Sequence, residues 1–339
     1  MKNILPRREP LTPSDDKLLQ LYMDGFPSDS KEYAAYFISS VPEENIVTFE
    51  MDGKLVSACY IVKKRALLFD CNIEVDYLSA VSTLSAYRGR GLVSNVIKPA
   101  LCKMRNGNAV FAALYPFDYN YYLRYGFVNA SYCGKTLICG GKDYKIKKAE
   151  ACDKNELKKI YDVFSEKFNF FEVYDESFFE SYIQELAIDD GAIYIAYDKK
   201  NKPFAFSAID NGSMAKHAFL NCGAFKKINY FKGMTCENFS AGKSAYVQMR
   251  IVNVEKFLES DIFRNKKTSF TIKVSDDIIS ENNGVFVSEF SKGKRRVYKT
   301  DEKALKNSDK KYDVTSLANA FFKGEWPFKT PKTLFMDKY

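Results

Sequence analysis

The spacing of apolar positions between residues 77 and 115 predicts a strand, a loop, a helix and a second strand. Tyr77–Leu84 is rich in small and β-branched side chains, as strands are. Apolar residues then recur at helical spacing along Leu92–Met104. Ala109–Tyr115 is almost wholly apolar, which is typical of a strand buried on both faces of a parallel sheet. Between the first strand and the helix lies a basic, glycine-containing loop, Ser85–Gly91.

The same patterns predict further elements on both sides of this unit, and with it an α/β (α+β) fold. Before it we expect helices Leu11–Met23 and Ser30–Ser39 and strands Asn45–Glu50, Lys54–Val62 and Ala66–Ile73. After it, a partial repeat of this order is predicted: strand Tyr144–Ala149, helices Lys154–Phe168 and Glu176–Leu186, and strands Ala192–Asp198 and Pro203–Ile209. A last segment opens near Ala245 and contains a strand passing into a helix at 249–258, strands Thr268–Val274, Gly284–Ser291 and Arg295–Thr300, and helix Val314–Phe322.

Composition is that of a folded globular protein with two or three domains. The chain has 339 residues, 46% of them hydrophobic, and no apolar run of transmembrane length. The net charge is +8, but the densest basic run, Lys292–Lys311, alternates with polar and acidic residues. We interpret it as a solvated face and expect neither a nucleic-acid nor a membrane partner. The eight cysteines form no C-x-x-C pair and His217 is the sole histidine, so we expect reduced thiols, a cytoplasmic location and no metal.

The loop between the first strand and the helix has the chemistry of an anion site. Glycines let a backbone approach a ligand closely, and the amides that open a helix lack internal partners. Together with the helix dipole they suit a phosphate, and the two arginines of Arg88-Gly89-Arg90-Gly91 add cationic reach. From the tetrapeptide alone, an ordinary basic turn is an equally good interpretation.

A second motif resolves this ambiguity. Arg88-x-x-Gly91 after a strand, followed by a helix, a strand and Tyr122-Leu-Arg-Tyr-Gly126-Phe127, resembles the GNAT N-acetyltransferases. In that family the R-x-x-G-x-G/A loop holds the pyrophosphate of acetyl-CoA, and the Y-x-x-x-G-F element supplies a tyrosine facing the thioester sulfur. The last loop position departs from this pattern, since it is Val93 here.

The whole chain resembles one branch of that family, the enhanced-intracellular-survival (Eis) acetyltransferases. The resemblance is carried by M-R-I-V-x-V beginning at Met249 and by S-L-x-x-x-F-F-x-G beginning at Ser316. It implies a catalytic GNAT domain at 1–141, a degenerate GNAT-like domain at 142–243 and a sterol-carrier-like domain at 244–339. It also implies a homo-oligomer, often a hexamer, and in this branch a larger aliphatic residue at Val93 is usual.

The resemblance assigns the acetyl-CoA site residue by residue. Backbone groups of the motif strand would hold the pantetheine arm and orient the carbonyl: Val81, Ser82 and Thr83. The loop would hold the pyrophosphate: Arg88, Gly89, Arg90, Gly91, Leu92 and Val93. Some members carry a small polar residue touching CoA where this chain has Phe117.

The general acid maps to Tyr122, because its place before Gly126-Phe127 is fixed by the motif. A phenol ordinarily has a pKa of about 10, which suits donation of its proton to the leaving thiolate late in the reaction. Four nearby tyrosines are interpreted as packing residues: Tyr115, Tyr119, Tyr121 and Tyr125.

The general base and the acceptor site are further implications of the resemblance. The base would be the C-terminal carboxylate of Tyr339, inserted into the first domain's cleft behind the apolar anchor 334–336; a frayed tail is the alternative. Asp24, Phe26 and Tyr36 are predicted to line the acceptor cleft.

Two classes of function follow. The first is an N-acetyltransferase acting on a polyamine-like or aminoglycoside-like cation or on lysine side chains. The second is a non-catalytic scaffold that binds acyl-CoA or lipid through the sterol-carrier-like domain. Retention of Arg88, Gly91 and Tyr122 together favours the enzyme.

Overall fold

The computed structural model describes residues 13–137, 144–210, 213–219, 235–238, 244–260, 262–263 and 267–335. The helices are α1 (Pro13–Gly25), α2 (Lys31–Ser40), α3 (Ser94–Asn106), α4 (Lys154–Ser165), α5 (Glu176–Ile188), α6 (Val254–Glu259) and α7 (Val314–Phe322). A 3₁₀ helix spans Tyr121–Tyr125. None of the described helices is both long and apolar enough to cross a bilayer.

The strands form three sheets. They are β1 (Ile46–Met51), β2 (Lys54–Leu68), β3 (Cys71–Thr83), β4 (Phe111–Leu114), β5 (Val128–Leu137), β6 (Lys145–Lys148), β7 (Phe170–Glu172), β8 (Ala192–Tyr197), β9 (Pro203–Asp210), β10 (Ser213–Phe219), β11 (Thr235–Asn238), β12 (Ser244–Ile251), β13 (Phe270–Ser275), β14 (Gly284–Ser291), β15 (Lys294–Thr300), β16 (Lys310–Asp313) and β17 (Thr333–Leu334). The largest sheet has the order β11-β5-β12-β4-β3-β2-β7-β17, with β1 paired to β2.

This large sheet draws strands from all three predicted segments. Strand β12, which sequence reasoning places at the start of the third segment, lies between β4 and β5 and pairs antiparallel with both. Strand β7 of the middle segment pairs with β2, and β17 near the end of the chain pairs with β7. The domain limits at 141 and 243 therefore stay a prediction, but the sheet itself is continuous across them.

One aromatic cluster likewise brings together side chains from all three predicted segments. The ring of Phe111 on β4 lies 5.3 Å from Phe170, 5.7 Å from Phe257 and 6.0 Å from Phe321, measured between centroids. All four side chains are fully buried. Aromatic contacts of this geometry contribute beyond their buried area, so the late helices α6 and α7 help to hold the first sheet.

The other two sheets are smaller. The sheet of the middle segment packs in a cluster of its own, whereas buried residues of the third segment's sheet, such as Ile272 and Phe286, belong to the same cluster as Phe111. The middle segment has the order β10-β9-β8-β6, and the third segment has β15-β14-β13-β16, in which β13 and β16 run parallel. Asp313 caps α7 by accepting a hydrogen bond from the amide of Ser316, so the helix begins directly after β16.

The predicted strand Ala66–Ile73 is wrong. β2 and β3 form one long hairpin, and residues 69 and 70 turn the chain between Leu68 and Cys71, which pair. Phe69 has φ of 53°, a conformation that bulky residues seldom adopt. Because this turn contains neither glycine nor proline, the apolar pattern runs through it without a visible break.

Candidate active site

The candidate site begins where two parallel strands, β3 and β4, separate. β3 pairs with β4 only at Val75–Tyr77, opposite Phe111–Ala113, although β3 continues along β2 as far as Thr83. Beyond Tyr77 the edge of β3 that faces β4 has no strand partner among the described residues. Backbone donors and acceptors on such an edge are free to bind an extended ligand. The predicted cofactor residues Val81, Ser82 and Thr83 lie on this part of β3.

A β-bulge interrupts the regular pairing of β3 with β2 near the end of β3. The register with β2 shifts between Ala58 and Tyr60, and Ala80 on the facing strand has φ of 44°. Bulges of this kind bend a strand and often occur beside active sites. The hydroxyls of Ser79 and Ser82 are buried here without a hydrogen-bond partner in the described structure. Polar groups are thus concentrated at the opening between β3 and β4.

The loop between β3 and α3, residues 84–93, has backbone amides that are open to a ligand. Gly89 and Gly91 have φ of 77° and 73°, and a Cβ built on either would meet nothing within 4 Å. The amides of residues 89–93 donate to no acceptor in the part of the chain that is described. Consecutive free amides in alternating conformation at the start of a helix favour an anion. The geometry of the loop therefore fits a pyrophosphate.

Arg88 connects this loop to the end of β3 and to the end of α1. Its Nε donates to the carbonyl oxygen of Thr83 at 2.9 Å, and its Nη2 donates to the backbone oxygen of Asp24 at 2.9 Å and to its carboxylate at 3.2 Å. The same carboxylate accepts from the amide and hydroxyl of Ser85, at 2.6 and 2.9 Å. Asp24, predicted for the acceptor cleft, thus contacts Ser85 and Arg88 in the loop between β3 and α3. Arg90 forms no ion pair among the described residues; it stacks on Tyr87, 5.2 Å from the ring centre.

Tyr122 lies in the buried cluster that contains the strand ends. It is 5% exposed and shares the cluster with Leu78 and Leu114, the residues next to the separation of β3 and β4. Burial, and then the neighbouring Tyr121 and Tyr125, raise the pKa of the Tyr122 phenol above its usual value. The phenol therefore stays neutral at physiological pH and keeps its proton.

The competing tyrosines have other positions. Tyr125 shares a hydrogen bond of 2.7 Å with Ser94, the first residue of α3, which ties the 3₁₀ helix to that helix. Tyr115 packs edge-on against Tyr246, with ring centres 4.3 Å apart. Tyr119 is 40% exposed, and Arg124 stacks on Tyr121 at 4.7 Å. Phe117 lies 76% exposed beside Tyr122, with ring centres 5.8 Å apart.

An acidic and aromatic cluster lies between α1, α2 and α5. Tyr22 donates to Asp29 at 2.8 Å, and Tyr33 donates to Glu185 of the middle segment at 3.4 Å. After burial, Asp29 is the main cause that raises the pKa of Tyr22. Phe26, predicted for the acceptor cleft, joins this cluster 4.9 Å from Tyr22. Tyr36, also predicted, lies half-buried on α2.

Sequence reasoning missed Asp29, Glu185 and Tyr22. Glu185 is distant from the other two in the chain, the three form no motif, and their only signal was the aromatic character of α1 and α2.

The chain's end is partly described. Phe335 is fully buried, and its ring meets Phe170 edge-on with centres 4.7 Å apart. The side-chain hydroxyl of Thr333 donates to the carbonyl oxygen of Ala130 at 2.8 Å. The predicted anchor is therefore docked as far as Phe335. Tyr339, the predicted base, lies outside the described residues.

Comparison with protein families agrees with this geometry. Residues 11–130 match the acetyltransferase (GNAT) domain, and residues 254–328 match the sterol carrier protein domain. A comparison with curated protein sequences finds no match. The chain is thus an acetyltransferase with a GNAT domain followed by a sterol carrier protein domain, which confirms that part of the sequence-based resemblance.

Solved structures share the fold over nearly the whole chain. A probable N-acyltransferase from Enterococcus faecalis V583 is 17% identical with a TM-score of 0.72, over 96% of this chain and 97% of its own. A GCN5-related N-acetyltransferase from Anabaena variabilis is 16% identical with a TM-score of 0.71, over 96% and 98%. Eis1 from Mycobacterium abscessus is 12% identical with a TM-score of 0.64, over 94% and 89%. At these identities the likeness concerns the fold, and it confirms the predicted mixed α/β class.

Proposed function

We propose that this acetyltransferase transfers the acetyl group of acetyl-CoA to a primary amine of a small cationic molecule by direct attack. The observation that carries the proposal is the row of free amides at residues 89–93 beside the unpaired edge of β3. The loop would hold the pyrophosphate of acetyl-CoA. The backbone of residues 81–83 would hold the pantetheine arm and place the thioester carbonyl for attack.

Tyr122 and the carboxylate of Tyr339 would move the protons. The amine nitrogen attacks the thioester carbon, the C–S bond breaks, and Tyr122 donates a proton to the departing thiolate. The amine's proton would pass to the Tyr339 carboxylate, directly or through water. Docking of Phe335 against Phe170 supports this assignment, because it brings the preceding segment into the core of the first sheet.

The acceptor class is inferred from charge. Asp29 and Glu185 each accept a hydrogen bond from a tyrosine, Tyr22 and Tyr33 respectively, so two carboxylates lie in the cluster between α1, α2 and α5. Carboxylates flanked by aromatic rings attract cationic amines by ion pairing and by cation–π contact. A polyamine or an aminoglycoside has this chemistry, and a lysine side chain is the macromolecular version of it.

The test is steady-state turnover of acetyl-CoA, read as release of free thiol, against polyamines and aminoglycosides. We expect turnover with cationic amines and none with their fully N-acetylated counterparts. Deleting Tyr339 shifts the terminal carboxylate by one residue and should lower kcat at least tenfold. Absence of turnover with every amine, while calorimetry shows acetyl-CoA bound, would contradict the proposal.

A second variant separates two roles for Asp24. Asp24→Asn keeps an oxygen that can accept from Ser85 but loses the charge that faces Arg88. Since that ion pair is partly exposed, we expect the KM for acetyl-CoA to rise about two- to fivefold. The KM for the amine should stay constant. A rise confined to the amine would instead place Asp24 in the acceptor cleft.

A further inference from the structure

The sequence motif around Arg250 has no part in the mechanism above, although the structure buries it completely. Arg250 lies on β12, between apolar neighbours Met249 and Ile251, and only 1% of the residue is exposed. A buried guanidinium needs specific partners, because desolvation of its charge is costly. Here burial lowers the pKa of Arg250, and Asp276 opposes that shift.

The first partner belongs to the third segment. Nη2 of Arg250 contacts both carboxylate oxygens of Asp276, at 2.5 and 2.7 Å. Asp276 is held in turn by the amides of Ile278 and Ile279, at 2.9 and 3.0 Å, and by the side-chain amide of Asn282, at 2.9 Å. The carboxylate is thus a fixed anchor for the guanidinium.

The second partner belongs to the tyrosine motif. Nη1 of Arg250 donates to the carbonyl oxygen of Tyr125, the last residue of the 3₁₀ helix that carries Tyr122. The next residue, Gly126, has φ of 82°, and a Cβ built there would overlap Nη1 of Arg250. The glycine of the motif is therefore required both by its conformation and by the approach of Arg250.

We propose that Arg250, anchored by Asp276, is a positioning residue for Tyr122, so that acid catalysis depends on the third segment. The inference rests on the proposed function, in which Tyr122 is the acid. Arg250 touches neither cofactor nor acceptor in this scheme; it fixes the end of the short helix from which the phenol projects. A 3₁₀ helix of five residues has little stability of its own, so an external clamp at its last carbonyl determines where Tyr122 lies.

The experiment compares Arg250→Lys with a control of similar structural cost. Lysine keeps the charge but cannot reach Tyr125 and Asp276 together, because it lacks the guanidinium fork. Ile272→Ala removes a buried side chain from β13, the strand that ends directly before Asp276, and Ile272 packs in a different buried cluster from Tyr122 and Tyr125. Both are assayed at a temperature at which circular dichroism shows them folded.

We expect Arg250→Lys to lower kcat at least tenfold while the KM for acetyl-CoA changes less than twofold. Ile272→Ala should keep kcat within twofold. A wild-type kcat in Arg250→Lys, or an equal loss in Ile272→Ala, would overturn the proposal.

An NMR measurement keeps this test independent of turnover. Tyrosines labelled with ¹³C at Cζ are followed in the folded proteins near neutral pH, and the Tyr122 signal is assigned by its loss in Tyr122→Phe. The buried phenol of the intact protein should give one sharp Tyr122 resonance. Loosening the helix in Arg250→Lys should shift or broaden that resonance, whereas Ile272→Ala should leave it in place. If no protein shows turnover, the proposed function fails, whereas an unchanged Tyr122 resonance in Arg250→Lys rejects the positioning role itself.

Discussion

Replacing Tyr122 by phenylalanine is expected to lower kcat for acetyl transfer by about 10²- to 10⁴-fold, the usual contribution of a positioned general acid. The substitution removes one hydroxyl and keeps the ring that packs between Phe117 and Phe127. The fold and the binding of acetyl-CoA should therefore persist. Steady-state kinetics measure the loss, and calorimetry with acetyl-CoA shows that the cofactor still binds.

The matched control for this prediction is Tyr125→Phe. Tyr125 lies on the same short helix and is equally buried, but its hydroxyl bonds to Ser94. Loss of that hydrogen bond costs about 1 kcal/mol of stability and should leave kcat within about threefold. If the two variants lose activity equally, the effect of Tyr122→Phe comes from the helix and not from proton donation.

The pH profile gives a second check on Tyr122. Because burial raises its pKa, the phenol stays protonated across the range in which the enzyme is stable. We expect no decline of kcat from tyrosine ionisation below about pH 10. A basic limb near neutrality would mean that another group donates the proton.

The parts of the site that sequence predicts well are those with local causes. A glycine-containing loop between a strand and a helix is a continuous stretch, and its positive φ angles at Gly89 and Gly91 follow from residue type. The place of Tyr122 is likewise fixed by a short motif. The order of the helices and of most longer strands is recovered because apolar periodicity is a local property, but the turn between β2 and β3 and short strands such as β7 and β16 are missed.

The parts that sequence does not predict depend on distant pairing. Nothing in the chain near residue 250 says that β12 lies between β4 and β5, since register is decided by the whole sheet. The contact of Asp24 with Arg88 joins the end of α1 to the loop, a contact that the prediction of Asp24 for the acceptor cleft did not include. A signal did exist for Arg250, because an arginine within an apolar strand requires a buried partner.

The largest effect on stability is expected from Asp276→Asn. The substitution keeps an oxygen to accept from the amides of Ile278 and Ile279 but removes the charge that faces Arg250. An uncompensated charge then remains buried, which typically lowers the free energy of unfolding by about 3–5 kcal/mol. Urea denaturation measures this loss. Glu302→Gln is the control, because it breaks an ion pair with Lys273 at the surface of the same segment and should change stability little.

The dependence of that loss on pH identifies its cause. Arg250 and the surrounding donors lower the pKa of Asp276 in the folded protein, against the opposing effect of burial. A carboxyl with a lowered folded pKa stabilises above its unfolded value, about 3.9, and this contribution disappears as pH falls through the folded value. The difference between wild type and Asp276→Asn should therefore be largest near neutrality and shrink below about pH 4. A difference that stays constant down to pH 3 would point to lost packing and not to the charge, and would remove the reason for treating the pair as the clamp on the tyrosine motif.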